Sequence, residues 1–200
     1  MTVAPRRSQQ ERREATIAKL IDATIDCLIN LGYRDTSIGR ICEGAGISHG
    51  GLFRHFSSRI ELISAATFEI GRRNLVMLEN LTDGSQSKDE LLENMVLFSR
   101  REARSPMTCA WREVLVAART NTELRDGIRL AIQAFEDAIM DFAAKLPNGP
   151  KDKKAFGVLL LSIIHMFDSE AVTAATLVSE DIEKMRHDWT VKLLQAAIAD

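Results

Sequence analysis

Two hundred residues, 46% apolar and 27% charged, can bury a sizeable core in one large domain or in a small one plus a larger one, which excludes a disordered chain. A net charge of −2 argues against a nonspecific nucleic-acid coat, yet residues 1–60 hold nine Lys/Arg against six Asp/Glu while residues 61–200 hold 17 against 22. The three cysteines, Cys27, Cys42 and Cys109, are odd in number and lack metal-ligand spacing, which points to a reduced cytosolic compartment.

The N-terminus is polar and basic without an apolar core, so no signal peptide is expected. Residues 1–10 form an arm with Pro5, Arg6 and Arg7, either a disordered tail or a basic arm that enters a minor groove. A helix is expected over residues 11–31, where Ile17, Leu20, Ile21, Thr24, Leu28 and Leu31 make a stripe at helical spacing, and Gly32 ends it. Arg12, Arg13 and Lys19 lie off the stripe as solvated charges or as phosphate contacts.

Residues 37–45 read as a short helix with Ile38, Ile41 and Cys42 on one face. Gly46 stops it, because a residue just past a helix end often takes positive φ and only glycine does so cheaply. Ser48 can then cap a second short helix through Phe56. Cys42 and Ala45 are small where two crossing helices must approach, and Ile47 and Leu52 would plug the wedge between them. This is a helix-turn-helix, in which the first helix braces and the second lies in a major groove.

The run Gly32-Tyr33, Thr36-Ser37-Ile38, Ile41, Ala45-Gly46-Ile47-Ser48, Gly50, Leu52-Phe53, His55-Phe56 resembles the N-terminal signature of the tetracycline-repressor (TetR) family. The resemblance covers about 50 residues and implies an all-helical, homodimeric bacterial regulator whose C-terminal domain binds a small effector. Family members carry lysine, threonine and tyrosine where this chain has His49, Gly51 and Phe53, so a fixed charge and two hydroxyls are missing from the DNA face.

Beyond Phe56, a Ser58-Arg59-Ile60-Glu61 capping box opens a helix to about Leu81, ended by Asp83-Gly84-Ser85. That helix starts against the DNA-reading unit and ends among the later helices, which makes it the one obvious lever between them. A second box, Ser87-Lys88-Asp89-Glu90, opens a helix to about Arg104, and Pro106 breaks the chain. A shorter helix follows over residues 107–119, and Thr122 can cap the next, which reaches Leu146. Pro147-Asn148-Gly149-Pro150 is the strongest loop signal, before two long helices over residues 151–177 and 180–199 with Ser179 as cap. No β-alternating run occurs. The expected fold is all-α, about nine helices, with a helix-turn-helix domain over residues 1–57 and a helical effector-binding and dimerisation domain over 58–200.

Candidate DNA contacts are Thr36, Ser37, Ser48, His49, Gly50, Phe53, His55 and Arg59. Hydroxyls at helix N-termini suit phosphate oxygens, and His49 can donate or accept at a purine edge. Gly50 and Gly51 each weaken a helix by about 1 kcal/mol relative to alanine, which close approach of backbone to DNA would offset. For the effector pocket the bulky residues Met95, Phe98, Trp111, Phe135, Ile139, Phe142, His165 and Met166 sit on helices that should face each other, although each also reads as plain core. Residues 156–167 are apolar almost all round, so they need burial on more than one side, yet the stretch is too short to span a bilayer. The dimer contact is assigned to Phe167, Ile182, Met185, Trp189 and Leu193, while Arg100, Arg101 and Arg104 read as a solvated face.

Enzyme chemistry has little support: His165 pairs with Asp168 or Ser162 at helical spacing, but no third ligand or nucleophile context accompanies them, and no catalytic residue, metal or cofactor is expected. The reading is therefore a cytoplasmic, non-membrane homodimer that binds a double-stranded DNA operator and answers to an unknown small-molecule effector. The alternative is a ligand-binding or protein-interaction module whose helix-turn-helix no longer reads DNA specifically.

Overall fold

The structure, a computed structural model, describes residues 8–81, 87–146 and 150–199. The expected basic arm with Pro5, Arg6 and Arg7, the turn at Asp83-Gly84-Ser85 and the loop residues Pro147-Asn148-Gly149 lie outside the described residues. Among those described, nine helices occur and no strand: α1 (Gln9–Asp35), α2 (Ile38–Ala45), α3 (His49–Leu52), α4 (Arg59–Glu79), α5 (Lys88–Ala103), α6 (Pro106–Ala118), α7 (Thr122–Lys145), α8 (Lys153–Ala174) and α9 (Glu180–Ala199).

Most helix ends follow local chemistry. Ser8 and Glu11 form a capping box that starts α1 at Gln9, two residues before the expected start. Ser87 and Glu90 form the expected box on α5. At α4 the box is shifted by one residue: Ser58 accepts the Glu61 N–H at 3.1 Å, but the Glu61 carboxylate takes the N–H and the hydroxyl of Ser57, both at 2.6 Å. Those two bonds hold the Glu61 carboxyl below its usual range. The break expected at Pro106 is present between α5, which ends at Ala103, and α6, which Pro106 itself opens, in the first turn where a missing N–H costs nothing. Asn121, not Thr122, caps α7, its side-chain oxygen accepting the Leu124 N–H at 3.0 Å.

The chain divides into two compact units, one of residues up to Ile70 plus Ala110–Ala131, the other of Gly71–Cys109 and Ile132 onward. The first therefore reaches beyond residues 1–57, taking in the start of α4 and parts of α6 and α7. Its core holds Leu20, Ala23, Cys27, Ile41, Cys42, Leu52, Phe56 and Leu62. Burial pushes the thiols of Cys27 and Cys42 up, so both act as small hydrophobes. In the second unit α5, α8 and α9 pack together over Phe156, Leu160, Ile163, Phe167, Leu92, Met95, Val96 and Leu194.

Gly32 is the strict backbone requirement of the first unit. Its φ of 76° and ψ of 171° kink the end of α1 into a region that only glycine occupies freely. A Cβ there would also stand 2.7 Å from Oε2 of Glu113, the atom that accepts the Tyr33 N–H at 2.9 Å. Gly32→Ala is expected to cost about 1–3 kcal/mol of stability, read as a lowered melting temperature by circular dichroism.

Candidate functional site

The DNA-reading candidate is built on α2, the turn at Gly46 and α3. Ser37 caps α2 by accepting the Arg40 N–H, and Gly46 ends it in the left-handed region at φ 63°. The Ser48 hydroxyl accepts the Gly51 N–H at 3.2 Å and starts α3. Leu52 is fully buried, and Ile47 packs on the same core. The wedge read from sequence is present.

Helix α3 is shorter than the helix expected to run through Phe56, spanning four residues before the chain turns. Two of the four are glycine, and each lowers helix propensity by about 1 kcal/mol. They differ in role. A Cβ on Gly51 would come within 2.9 Å of Ile47 Cγ2 and 3.3 Å of Ser48 Oγ, so Gly51 lets the turn close. At Gly50 nothing lies within 4 Å, and the position faces open space.

Around that opening, His49 and Gly50 are exposed and the Phe53 side chain is 52% exposed. Ser37 and Ser48 are exposed as well. Three expected contacts stand elsewhere. Thr36 is fully buried and its hydroxyl donates to the Gly32 carbonyl at 2.7 Å, so it closes the turn after α1 and cannot reach a phosphate. Arg59 donates to the carbonyls of Tyr33 and Thr36 and stacks over the Tyr33 ring at 4.5 Å from its centroid. Its Nε and Nη2 thus hold the α1–α2 turn. His55 is half-buried, its Nδ1 shielded and without a partner among the described residues, so it does not share the exposed face. Arg40 and Arg54, which the sequence reading passed over, are exposed cations on the motif. Arg40 lies three residues after the capping Ser37 and Arg54 follows Phe53, and that place in the motif was the signal.

The second unit holds a narrow apolar cleft lined by Leu78, Met95, Val96, Ser99, Ile139, Leu160, Ile163, Ile164 and Leu194, with enclosed room for about one water molecule. Of the expected pocket residues only Met95 and Ile139 line it. Phe98 and Phe142 are buried in the core, while Phe135 and Met166 pack against it. His165 is exposed, on the side of α8 away from the buried stripe of Phe156, Leu160, Ile163 and Phe167. Trp111 is half-buried on α6 in the other compact unit and is not part of this lining. The missed wall residues Val96 and Ser99, and Leu160, Ile163 and Ile164, follow the three- and four-residue spacing that the sequence already carried.

Arg100 and Arg104 are not a solvated face. Glu170, 8% exposed, accepts from Arg100 at 2.8 Å, from Arg104 at 3.1 Å and from Arg186, while Glu183 takes the other donors of Arg100 and Arg104. Burial pushes the Glu170 carboxyl up, but hydrogen bonds from Arg186 and Arg100 together with their charges outweigh it and hold the group below its usual range.

On α8 and α9 an apolar surface remains open. Ile182, Met185 and Trp189 are exposed, Met185 by 71% and Trp189 by 56%, with Val158 and Val172 exposed on α8 and Leu177 and Val178 between the helices. Leu193 is half-buried. Phe167, assigned to the same contact from sequence, is 1% exposed and belongs to the core, because it falls on the inward stripe of α8. With 22 residues and a mean hydropathy of 1.5, α8 is also long and apolar enough to cross a membrane, unlike the shorter stretch counted from sequence. Among the described residues no three His, Cys, Asp or Glu side chains gather as metal ligands would.

Residues 20–66 match the family described as bacterial regulatory proteins, tetR family. The HTH-type transcriptional regulator CymR of Pseudomonas putida is 30% identical over 141 residues, 68% of this chain and 67% of that protein. This chain belongs to the TetR family. An uncharacterized HTH-type transcriptional regulator of Mycobacterium tuberculosis is 29% identical over 193 residues, 96% of this chain and 99% of its own length. Among solved structures, the multidrug binding protein EbrR, complexed with imidazole, is 16% identical with a TM-score of 0.63 and covers 94% of each chain. At that identity the likeness speaks for the fold: an all-helical TetR architecture with an N-terminal helix-turn-helix. The chain is thus a TetR-family transcriptional regulator with a DNA-binding motif, and its similar proteins carry the names of HTH-type transcriptional regulators.

Proposed function

We propose that the protein is a cytoplasmic repressor that binds a palindromic operator as a homodimer and is released by a small apolar or amphipathic effector. The observation that carries this is the exposed face of His49, Gly50 and Phe53 on a helix braced from behind by Leu52 and Ile47. Helix α4 supports the coupling, since it bears Arg59, which holds the α1–α2 turn, and Leu78, which lines the cleft. A ligand at Leu78 can bias the DNA-reading unit only by its differential affinity for two states, usually about 1–3 kcal/mol. The exposed apolar face of α8 and α9 supports the dimer.

The test is a gel shift against the chain's own upstream region at stated salt, with Gly50→Leu beside wild type. The open space at Gly50 accepts a leucine without a clash in the free protein, so thermal unfolding should stay nearly unchanged. The same leucine would hold backbone away from DNA, and specific binding should be lost. Unaltered operator affinity in that variant would sink the assignment, and a protein that binds no upstream fragment would favour the interaction-module alternative. A two-fold protein imposes a two-fold operator, so footprinting should protect an imperfect palindrome with its half-sites about one helical turn or more apart. A single asymmetric footprint would contradict the dimer.

A further inference from the structure

We propose that Glu113 of α6 is a positioning residue for DNA recognition, acting through the backbone of Tyr33; this rests on the DNA-binding reading above. Tyr33 follows the kink at Gly32, where φ 76° and ψ 171° leave the helical region. A kink of that kind takes backbone groups out of the helix ladder, and they need partners from elsewhere. At Tyr33 charged side chains from outside α1, α2 and α3 supply both. The N–H donates to Oε2 of Glu113 at 2.9 Å. The carbonyl accepts from Nη2 of Arg59 on α4, whose guanidinium also covers the Tyr33 ring. Each charge has the sign that its backbone partner calls for, which strengthens both bonds.

Gly32 makes this clamp possible and also makes it necessary. The Glu113 carboxylate lies 2.7 Å from the point where a Cβ would stand, so the missing side chain leaves room for it. Glycine also loses more conformational freedom on folding than any other residue, and a turn built on it keeps its angle only while its neighbours are held. From Tyr33 the chain runs through Thr36, whose hydroxyl returns to the Gly32 carbonyl, to Ser37, the cap of α2. The turn therefore sets where α2 starts, and α2 carries α3 through the turn at Gly46. Side chains that read DNA must be held within about 0.5 Å of their working geometry, which a loose turn does not provide.

The experiment compares Glu113→Ala with Glu113→Gln in the full-length protein. Both remove one negative charge, so a change in long-range attraction to phosphate is common to them. Glutamine keeps an oxygen that can accept the Tyr33 N–H, and alanine does not. Affinity is measured by fluorescence anisotropy at fixed salt on an upstream fragment that the wild type binds. Glu113→Ala should bind at least about tenfold more weakly than Glu113→Gln, while the two melt at similar temperatures. Tyr33 is the sole tyrosine, so tyrosine labelled at nitrogen gives one backbone amide signal per chain in magnetic resonance. Its hydrogen exchange should be slow in wild type and Glu113→Gln, and at least about tenfold faster in Glu113→Ala. Equal DNA affinities for the two variants, or equal exchange at Tyr33, overturn the proposal while the wild type's own binding keeps the DNA reading in place. A Glu113→Ala protein that melts far below Glu113→Gln makes the contact structural and overturns it as well. A wild type that binds no upstream fragment removes the DNA reading, and the positioning role with it.

Discussion

Replacing Trp189 by glutamate is expected to turn the protein into a monomer at micromolar concentration and to collapse its operator affinity. Trp189 lies on α9 in line with Ile182 and Met185, and all three are more than half exposed in the isolated chain. Val158 and Val172 on α8 are exposed as well. A charge at an exposed position disturbs the protomer little, but a charge enclosed by a partner is left without solvent or counter-ion. Truncating an aromatic at an interface centre costs ~2–4 kcal/mol, so dimerisation should weaken by roughly 30- to 1,000-fold. Each half-site alone then binds weakly. Sedimentation velocity should report the monomer and circular dichroism on the same sample should report nearly unchanged helix content. A variant that stays dimeric and binds its operator normally would remove Trp189 from the contact.

The helix-turn-helix was legible because its signals are local. Gly46 in the left-handed region, Ser37 and Ser48 as caps and Leu52 in the wedge each follow from a side chain and its immediate neighbours. The capping box at Ser87 is of the same kind. Where two adjacent residues could do one job, sequence chose the wrong one: Ser57 against Ser58 for the Glu61 carboxylate, and Asn121 against Thr122 at α7. Such choices depend on rotamers that the chain settles only when its neighbours are in place.

The site was legible in part for a different reason. Composition marks Thr36 and Arg59 as DNA contacts, yet both bond to the turn at Gly32 and Tyr33, twenty-odd residues from Arg59 along the chain. Periodicity marks Phe167 and His165 as residues of one apolar helix but does not say which stripe faces inward. The buried stripe runs through Phe167 and leaves His165 outside. The aromatic residues chosen for a pocket, Phe98 and Phe142, fill the core, and the cleft forms beside smaller side chains such as Val96 and Ser99. Arg100 and Arg104 looked solvated because their partners, Glu170 and Glu183, are some seventy residues away.

That ionic cluster gives the other large effect. Glu170→Gln should lower the stability of the second unit by roughly 2–4 kcal/mol at pH 7. Breaking a buried pair costs ~3–5 kcal/mol, and the lower figure allows for the solvent that still reaches Arg104 and Arg186. The variant leaves Arg100 and Arg104 with Glu183 alone and takes from Arg186 the carboxylate it is paired with, so repulsion among the three guanidinium groups is less compensated. For a chain of this size the melting temperature should fall by roughly 4–16 °C. The sign of the pH dependence follows from the lowered carboxyl: its contribution is complete above the ordinary carboxylate range and is lost as pH falls through the folded value. The gap between wild type and Glu170→Gln should therefore be full at neutral pH and narrow below about pH 4. Glu183→Gln removes a more exposed partner and should cost less. Equal melting temperatures for wild type and Glu170→Gln across that range would mean that the three arginines are held by packing of their stems, and that the carboxylate adds nothing to the fold.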